Sequence, residues 1–309
     1  MLRFPLLVFA SCLAPLAGAL VAQQISLAQQ ITQPVYRVAD KQPMGDAAAP
    51  HADPAVQPAA AITGQPAGLE GSPFDLAQRP GEHPLMPVLR LARQGLVEMD
   101  QNIRGYSAML TKTERIGGKA EGPQQIAVRV RHKPFSVHMK FIQPHAGREV
   151  LYNELRNDGK LVALGAGWKR RVGKIKLDPN GSMAMNGQRY PITMTGIYNL
   201  TEELIKVAEQ DVKYGECTVR YSTKHQIDGR PTTMIEARHP VPRRNFRFNI
   251  ARIFIDNEMR VPVAYSAYSW PTKKGGQPIL EEEYIYTNVK LNPGFTDADF
   301  DETNPALFQ

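Results

Sequence analysis

The chain has 309 residues, room for one or two domains, and carries 37 Lys and Arg against 30 Asp and Glu, a net charge of +7. A basic balance of this kind favours anionic partners: lipid head groups, envelope polysaccharide or nucleic acid. Of its two cysteines, Cys12 lies in a leader-like stretch and Cys217 stands alone. That excludes an intramolecular disulfide and leaves an exported fold to stand on its core.

The first residues, "MLRFPLLVFASCLAPLAGALVAQQ", place Arg3 ahead of an apolar stretch from Phe4 to Leu16, with small residues at Ala17 and Ala19. This is the layout of a secretory signal peptide over residues 1–22, cut after Ala19 or Ala22. Pro5, Pro15 and Gly18 break the stretch, which falls short of the roughly 20 apolar residues of a spanning helix. No transmembrane segment is therefore expected after cleavage. Cys12 in "FASC" leaves an acylated lipoprotein form as the alternative, tethered rather than free. Either way the expected location is periplasmic or otherwise extracytoplasmic.

Residues 23–83 are Ala, Pro, Gly and Gln with few large apolar side chains, the composition of a disordered linker. The globular domain is expected over 84–309, where 33 basic residues face 24 acidic ones. It opens with a helix: Leu85, Leu89, Ala92, Leu96, Met99 and Ile103 form one apolar stripe, ended by Gly105. Strands follow. In "IAVRVRHKPFSVHMKF" (126–141) Val128, Val130, Phe135, Val137, Met139 and Phe141 alternate with Arg129, Arg131, His138 and Lys140, giving one dry and one wet face. Further hairpins turn at Asn157-Asp158-Gly159, Asp228-Gly229 and Asp256-Asn257. A second amphipathic helix interrupts them, with Ile197, Leu200, Leu204, Ala208 and Val212 on its apolar face and Thr201, Glu202, Lys206 and Glu209 elsewhere.

About 10–11 strands joined by short connections imply an antiparallel meander. Such a sheet curls, and the two helices are its available cover. The predicted fold is α+β, an open half-barrel capped by helices, its dry face turned inward.

Chemistry is hard to place on this pattern. No G-x-S-x-G, H-E-x-x-H, P-loop or helix-opening G-x-G-x-x-G is present, and "GAGWKR" (165–170) reads as a loop or bulge. His132, His138 and His145 share one hairpin and its exit without completing a metal set. Of Glu281, Glu282 and Glu283, at most the first and third share a face, and they suit pairing with Arg260, Lys273 or Lys274. Cys217 reads as a small buried strand residue. In "RHPVPRRNFRFNIAR" (238–252) Phe246, Phe248 and Ile250 alternate with Arg247, which turns the aromatics to the core and away from nucleic acid. The expectation is a non-enzyme without metal or cofactor.

Three stretches carry a resemblance. "VRVRHKPFSVHMKFIQP", "EVLYNELRNDGKLVALG" and "NIARIFIDNEMRVPVAYSAYSWP" with "YIYTNVKLNPGFTDADFD" resemble the strands of the LolA/LolB/RseB group of bacterial envelope proteins. Asp256, Pro262, Tyr286, Asn288, Val289, Asn292 and Phe295 stand at the matching motif positions. The likeness spans roughly 84–302, and the "RHKPFSV", "GREV" and "NDGK" blocks are closer still to the domain of unknown function 1571 family. It implies a LolA-like half-barrel with an apolar concave face. Carriers of that group latch their lid with an Arg, for which Arg129, Arg131 and Arg148 are all candidates here.

Two functions follow as expectations. One is an envelope protein that takes a lipid or lipoprotein acyl chain between sheet and lid, lined by Val128, Val130, Phe135, Val137, Met139, Phe141, Leu200 and Leu204. The other is an RseB-like sensor or scaffold that binds envelope proteins or anionic polymer on its basic outer face. A monomer is expected in both.

Overall fold

The computed structural model describes residues 67–309; the expected leader, Cys12 and the linker up to residue 66 lie outside the described residues. Eleven strands form one antiparallel sheet. They are β1 (Gly105–Ile116), β2 (Lys119–Arg131), β3 (Ser136–Gln143), β4 (Glu149–Asn153), β5 (Leu161–Leu164) and β6 (Ile175–Leu177), then β7 (Thr218–Ile227), β8 (Arg230–Arg238), β9 (Ile250–Asp256), β10 (Pro262–Ser269) and β11 (Ile279–Leu291). Each pairs with its sequence neighbour, except that β1 pairs β11 to join two meanders; the order is β6-β5-β4-β3-β2-β1-β11-β10-β9-β8-β7. The outermost strands, β6 and β7, stay apart, so the curled sheet is open, as the alternation and short turns imply.

Local chemistry explains the turns. Asp228 and Gly229 have φ of 55° and 72°, the left-handed pair that a two-residue hairpin needs to match strand twist. Asn288 and Asn292, in and after β11, sit at φ 52° and 51°, where Asn is among the few tolerated side chains.

Helix α1 (Met86–Asn102) and helix α3 (Ile197–Asp211) cover the inner face, with a short α2 (Ser182–Met185) between β6 and α3. Met99, Ile103, Ile192 and Ile197 pack with Ile126, Val128, Val130, Val137 and Phe141 in one buried cluster. The deepest line along α3 is Ile197, Thr201 and Ile205, one residue round from the expected stripe. Thr201 enters it because its hydroxyl donates to the Ile197 carbonyl at 2.8 Å, leaving no polar atom unpaired. At the start of α3 the Ile197 N–H donates to the Tyr106 hydroxyl at 3.0 Å. Gly196 permits this approach: φ is +114°, and a Cβ there would lie 3.2 Å from that hydroxyl.

Two observations go beyond the expectations. Packing reaches ahead of Pro84, since Leu69, Phe74 and Leu76 are buried with Val88, Ile235 and Ile255. Three large apolar residues in a Gly- and Pro-rich stretch are enough to dock it. The outer face is also not uniformly wet: Arg131 and His138 are only 7% and 5% exposed. The reason is the C-terminal segment, whose Phe300 and Leu307 pack on Leu151 and Val162. Its acids meet the cations of that face, Asp297 on Arg131 at 2.7 Å, Asp299 on Arg129 at 3.8 Å, Asp301 on Arg156 at 2.7 Å and Glu302 on Lys176 at 2.9 Å. His138 bonds the Glu149 carboxylate at 2.9 Å, which also accepts the Phe308 N–H at 2.8 Å.

Candidate ligand cavity

The helices do not fill the inner face. A cavity of about 260 Å³ lies between Leu89, Ala92 and Met99 of α1, Leu200, Leu204 and Ala208 of α3, Met183 and Ala184 of α2, and sheet residues that include Leu110, Ile126, Met139, Phe141 and Ile253. Among the eight residues expected to line a site, Met139, Phe141, Leu200 and Leu204 do line it. Val130 and Phe135 line a second cavity of about 320 Å³ with His132, Tyr152 and Tyr198. Val128 and Val137, 2% and 0% exposed, are packed core.

One wall of the main cavity is polar. Glu282, 1% exposed, accepts from the Tyr190 hydroxyl at 2.7 Å and the Tyr265 hydroxyl at 3.1 Å, and Arg189 Nε lies 2.8 Å away. Glu114 beside it accepts from Tyr284 at 2.7 Å, from Lys112 at 3.2 Å and from the Arg189 N–H at 3.1 Å. Burial raises the carboxyl of Glu282 above its usual range, against the pull of Arg189 and Arg247. It also pushes the phenols of Tyr265 and Tyr284 well up, helped by Glu282. The sequence reading missed this wall by asking whether Glu281 and Glu283 converge. The signal was present, because Glu282 shares its period-two face with Tyr284 and Tyr286.

Four Lys and Arg side chains line the cavity: Lys112, Arg148, Arg247 and Arg260. Three have a carboxylate partner, Lys112 with Glu114, Arg247 with Glu203 at 3.0 Å and Arg260 with Glu98 at 3.2 Å. Arg260 thus does not serve the acidic run. Arg148 has no ion pair among the described residues, and its guanidinium sits 4.8 Å from the centre of the Phe141 ring. Burial alone draws it below the usual arginine range. Of the three latch candidates only Arg148 faces this cavity, while Arg129 and Arg131 serve the outer face.

Other sequence candidates are not assembled into chemistry. His132 stands between the rings of Tyr106 and Tyr198, apart from the His138–Glu149 pair. Cys217 is buried, which pushes its thiol up to about 12, far from a thiolate nucleophile. Phe246 and Phe248 are 5% and 6% exposed, inward as their alternation implies.

The family described as "Protein of unknown function (DUF1571)" matches residues 103–307. The chain belongs to that family. Among solved structures, this DUF1571 chain is similar to the Pseudomonas aeruginosa MucA/MucB complex at 14% identity, with 69% of this chain and 60% of that one covered and a TM-score of 0.40. It is similar to the Mycobacterium tuberculosis lipoprotein LppX at 13% identity, covering 70% and 100%, TM-score 0.34. A LolA superfamily protein from Nitrosomonas europaea follows at 12%, covering 68% and 97%, TM-score 0.28. No curated protein matches the chain.

In this DUF1571 chain two of the motif residues that carry the resemblance, Asp256 and Asn292, hold turns together. Asp256 accepts the N–H groups of Glu258 and Met259 at 2.9 and 2.8 Å and pairs with Arg230. Asn292 ties the end of β11 to α1, accepting the Arg104 N–H at 2.7 Å and donating to the Asn102 carbonyl at 2.8 Å. These contacts build the scaffold, and the cavity is what it encloses.

Proposed function

We propose that this protein is an exported binding protein of the cell envelope that holds an acyl chain between the sheet and its helical cover. The observation that carries this reading is the cavity of about 260 Å³, walled mainly by apolar side chains of α1, α3 and the inner sheet face. That is somewhat below the range of drug-sized ligand pockets, about 300–1,000 Å³. No helix among the described residues is long and apolar enough to cross a membrane.

The other expectation is a sensor or scaffold that binds envelope proteins or anionic polymer on a basic outer face; on that face Arg129, Arg131, Arg156 and Lys176 each meet an acid of the segment 297–302, which favours the acyl-chain reading. Native mass spectrometry of the full chain, purified without detergent, tests the acyl-chain reading. Extra mass that leaves on organic extraction supports it. An unliganded mass that stays unchanged after incubation with acylated peptides refutes it.

A further inference from the structure

We propose that Arg148 docks the carboxylate of a fatty acid whose chain occupies the main cavity. The inference rests on the acyl-chain reading and adds the head group. Arg148 immediately precedes β4 and shares the inward register of Val150 and Tyr152. Its backbone is fixed at β3, where the Phe141 N–H donates to its carbonyl at 2.9 Å. Around it the cavity wall is Phe141, Val150, Leu161 and Ala163, and the ring of Phe141 lies under its guanidinium.

A partly buried guanidinium held against apolar wall without a counter-ion loses part of its hydration and gets only a cation–π contact in return. The other three cations of the cavity show the usual solution, a carboxylate of the chain itself. At Arg148 that place is open to a ligand. A carboxylate fits the single planar fork in bidentate fashion and cancels its one charge. A phosphate monoester, at about −1.5 to −2, leaves excess negative charge against an apolar wall.

Displacement of a fluorescent apolar dye from the full chain provides the test, with hexadecanoate, hexadecanol and hexadecyl phosphate as competitors. Hexadecanoate should bind on the order of 10–100-fold more tightly than hexadecanol, the range of one charge-assisted hydrogen-bonded contact. Arg148→Gln should erase that preference while hexadecanol binds as before, and Arg148→Lys should restore part of it. Equal binding of acid and alcohol by the unmodified chain overturns the docking of a carboxylate and leaves acyl-chain binding standing. Binding of neither sinks both. A preference that survives in Arg148→Gln removes Arg148 from the role, and tighter binding of hexadecyl phosphate overturns the choice of head group. If Arg148→Gln loses hexadecanol as well, Arg148→Lys decides: preference kept with hexadecanol bound supports the assignment, and preference lost overturns it.

Discussion

Replacing Phe300 by Ala probes the covering of the outer sheet face. Phe300 is 0% exposed. Its ring packs edge-on to Phe295 at 5.3 Å between centroids and lies 5.0 Å from the Arg131 guanidinium, and it joins Leu151 and Val162 in one cluster. Truncating a fully buried phenylalanine costs about 3–5 kcal/mol, transfer and cavity terms together. For a folded region of this size that is a drop in Tm on the order of 6–20 °C. The ion pairs of Asp297 and Asp299 with Arg131 and Arg129 do not offset the loss, because half-exposed pairs contribute about 1 kcal/mol or less each. Urea titration followed by circular dichroism gives the change directly. Binding of apolar dye to the inner cavity should be unchanged, since the segment lies on the opposite face. A loss under about 1 kcal/mol would mean that the C-terminal segment does not pack on the sheet, and the account of Arg131 and His138 would fall with it.

Leu204→Trp places a larger side chain from α3 into the main cavity, which Leu204 lines; hexadecanoate binding should weaken by roughly tenfold or more, with a stability change within about 1–3 kcal/mol. Unchanged affinity in the dye-displacement assay would exclude this cavity as the site. Burial holds His138 below its usual value of 6.5, outweighing the attraction of Glu149, so the unfolded chain binds more protons just below that pH. Its contribution to stability is complete above pH 6.5 and is lost as pH falls towards the folded value, at up to about 1.4 kcal/mol per pH unit. His138→Gln should flatten that part of the stability profile between pH 7.5 and 5.5, and equal pH dependence in both proteins would remove His138 as a cause.

Much of the fold was legible because period-two alternation and turn dipeptides act locally. The strands around 126–141 and the Asp228-Gly229 hairpin follow from side-chain spacing and from φ preferences. Alternation says which residues share a face, and not what later covers that face. Arg131 and His138 therefore read as wet until Phe300 and Leu307, some 160 residues on, are laid over them. Leu69, Phe74 and Leu76 were lost for a related reason: a window rich in Ala, Gly and Pro averages away three anchors. The candidate site was half legible. Met139, Phe141, Leu200 and Leu204 followed from the apolar faces, whereas Glu282 was hidden in the middle of a three-Glu run. Arg148 looked like one of three equivalent arginines until the tertiary fold separated them.

The two faces of the sheet solve the same burial problem in different ways, and the difference bears on recognition. On the outer face, the segment from Phe295 onwards fills the space above Leu151 and Val162 with its own side chains, and its acids neutralise the neighbouring cations. Nothing there calls for a ligand. On the inner face, α1 and α3 bridge the sheet at their ends through Met99, Ile103 and Ile197 and leave space beneath Leu200 and Leu204. The polar wall around Glu282 and Glu114 is satisfied from within the chain, so its hydrogen bonds do not require a guest either. Beneath Leu200 and Leu204 two features come together among the described residues, an apolar volume and the charge of Arg148. A single amphiphile with an anionic head supplies both at once, the chain restoring dispersion contacts that an empty cavity forgoes and the head providing the counter-ion.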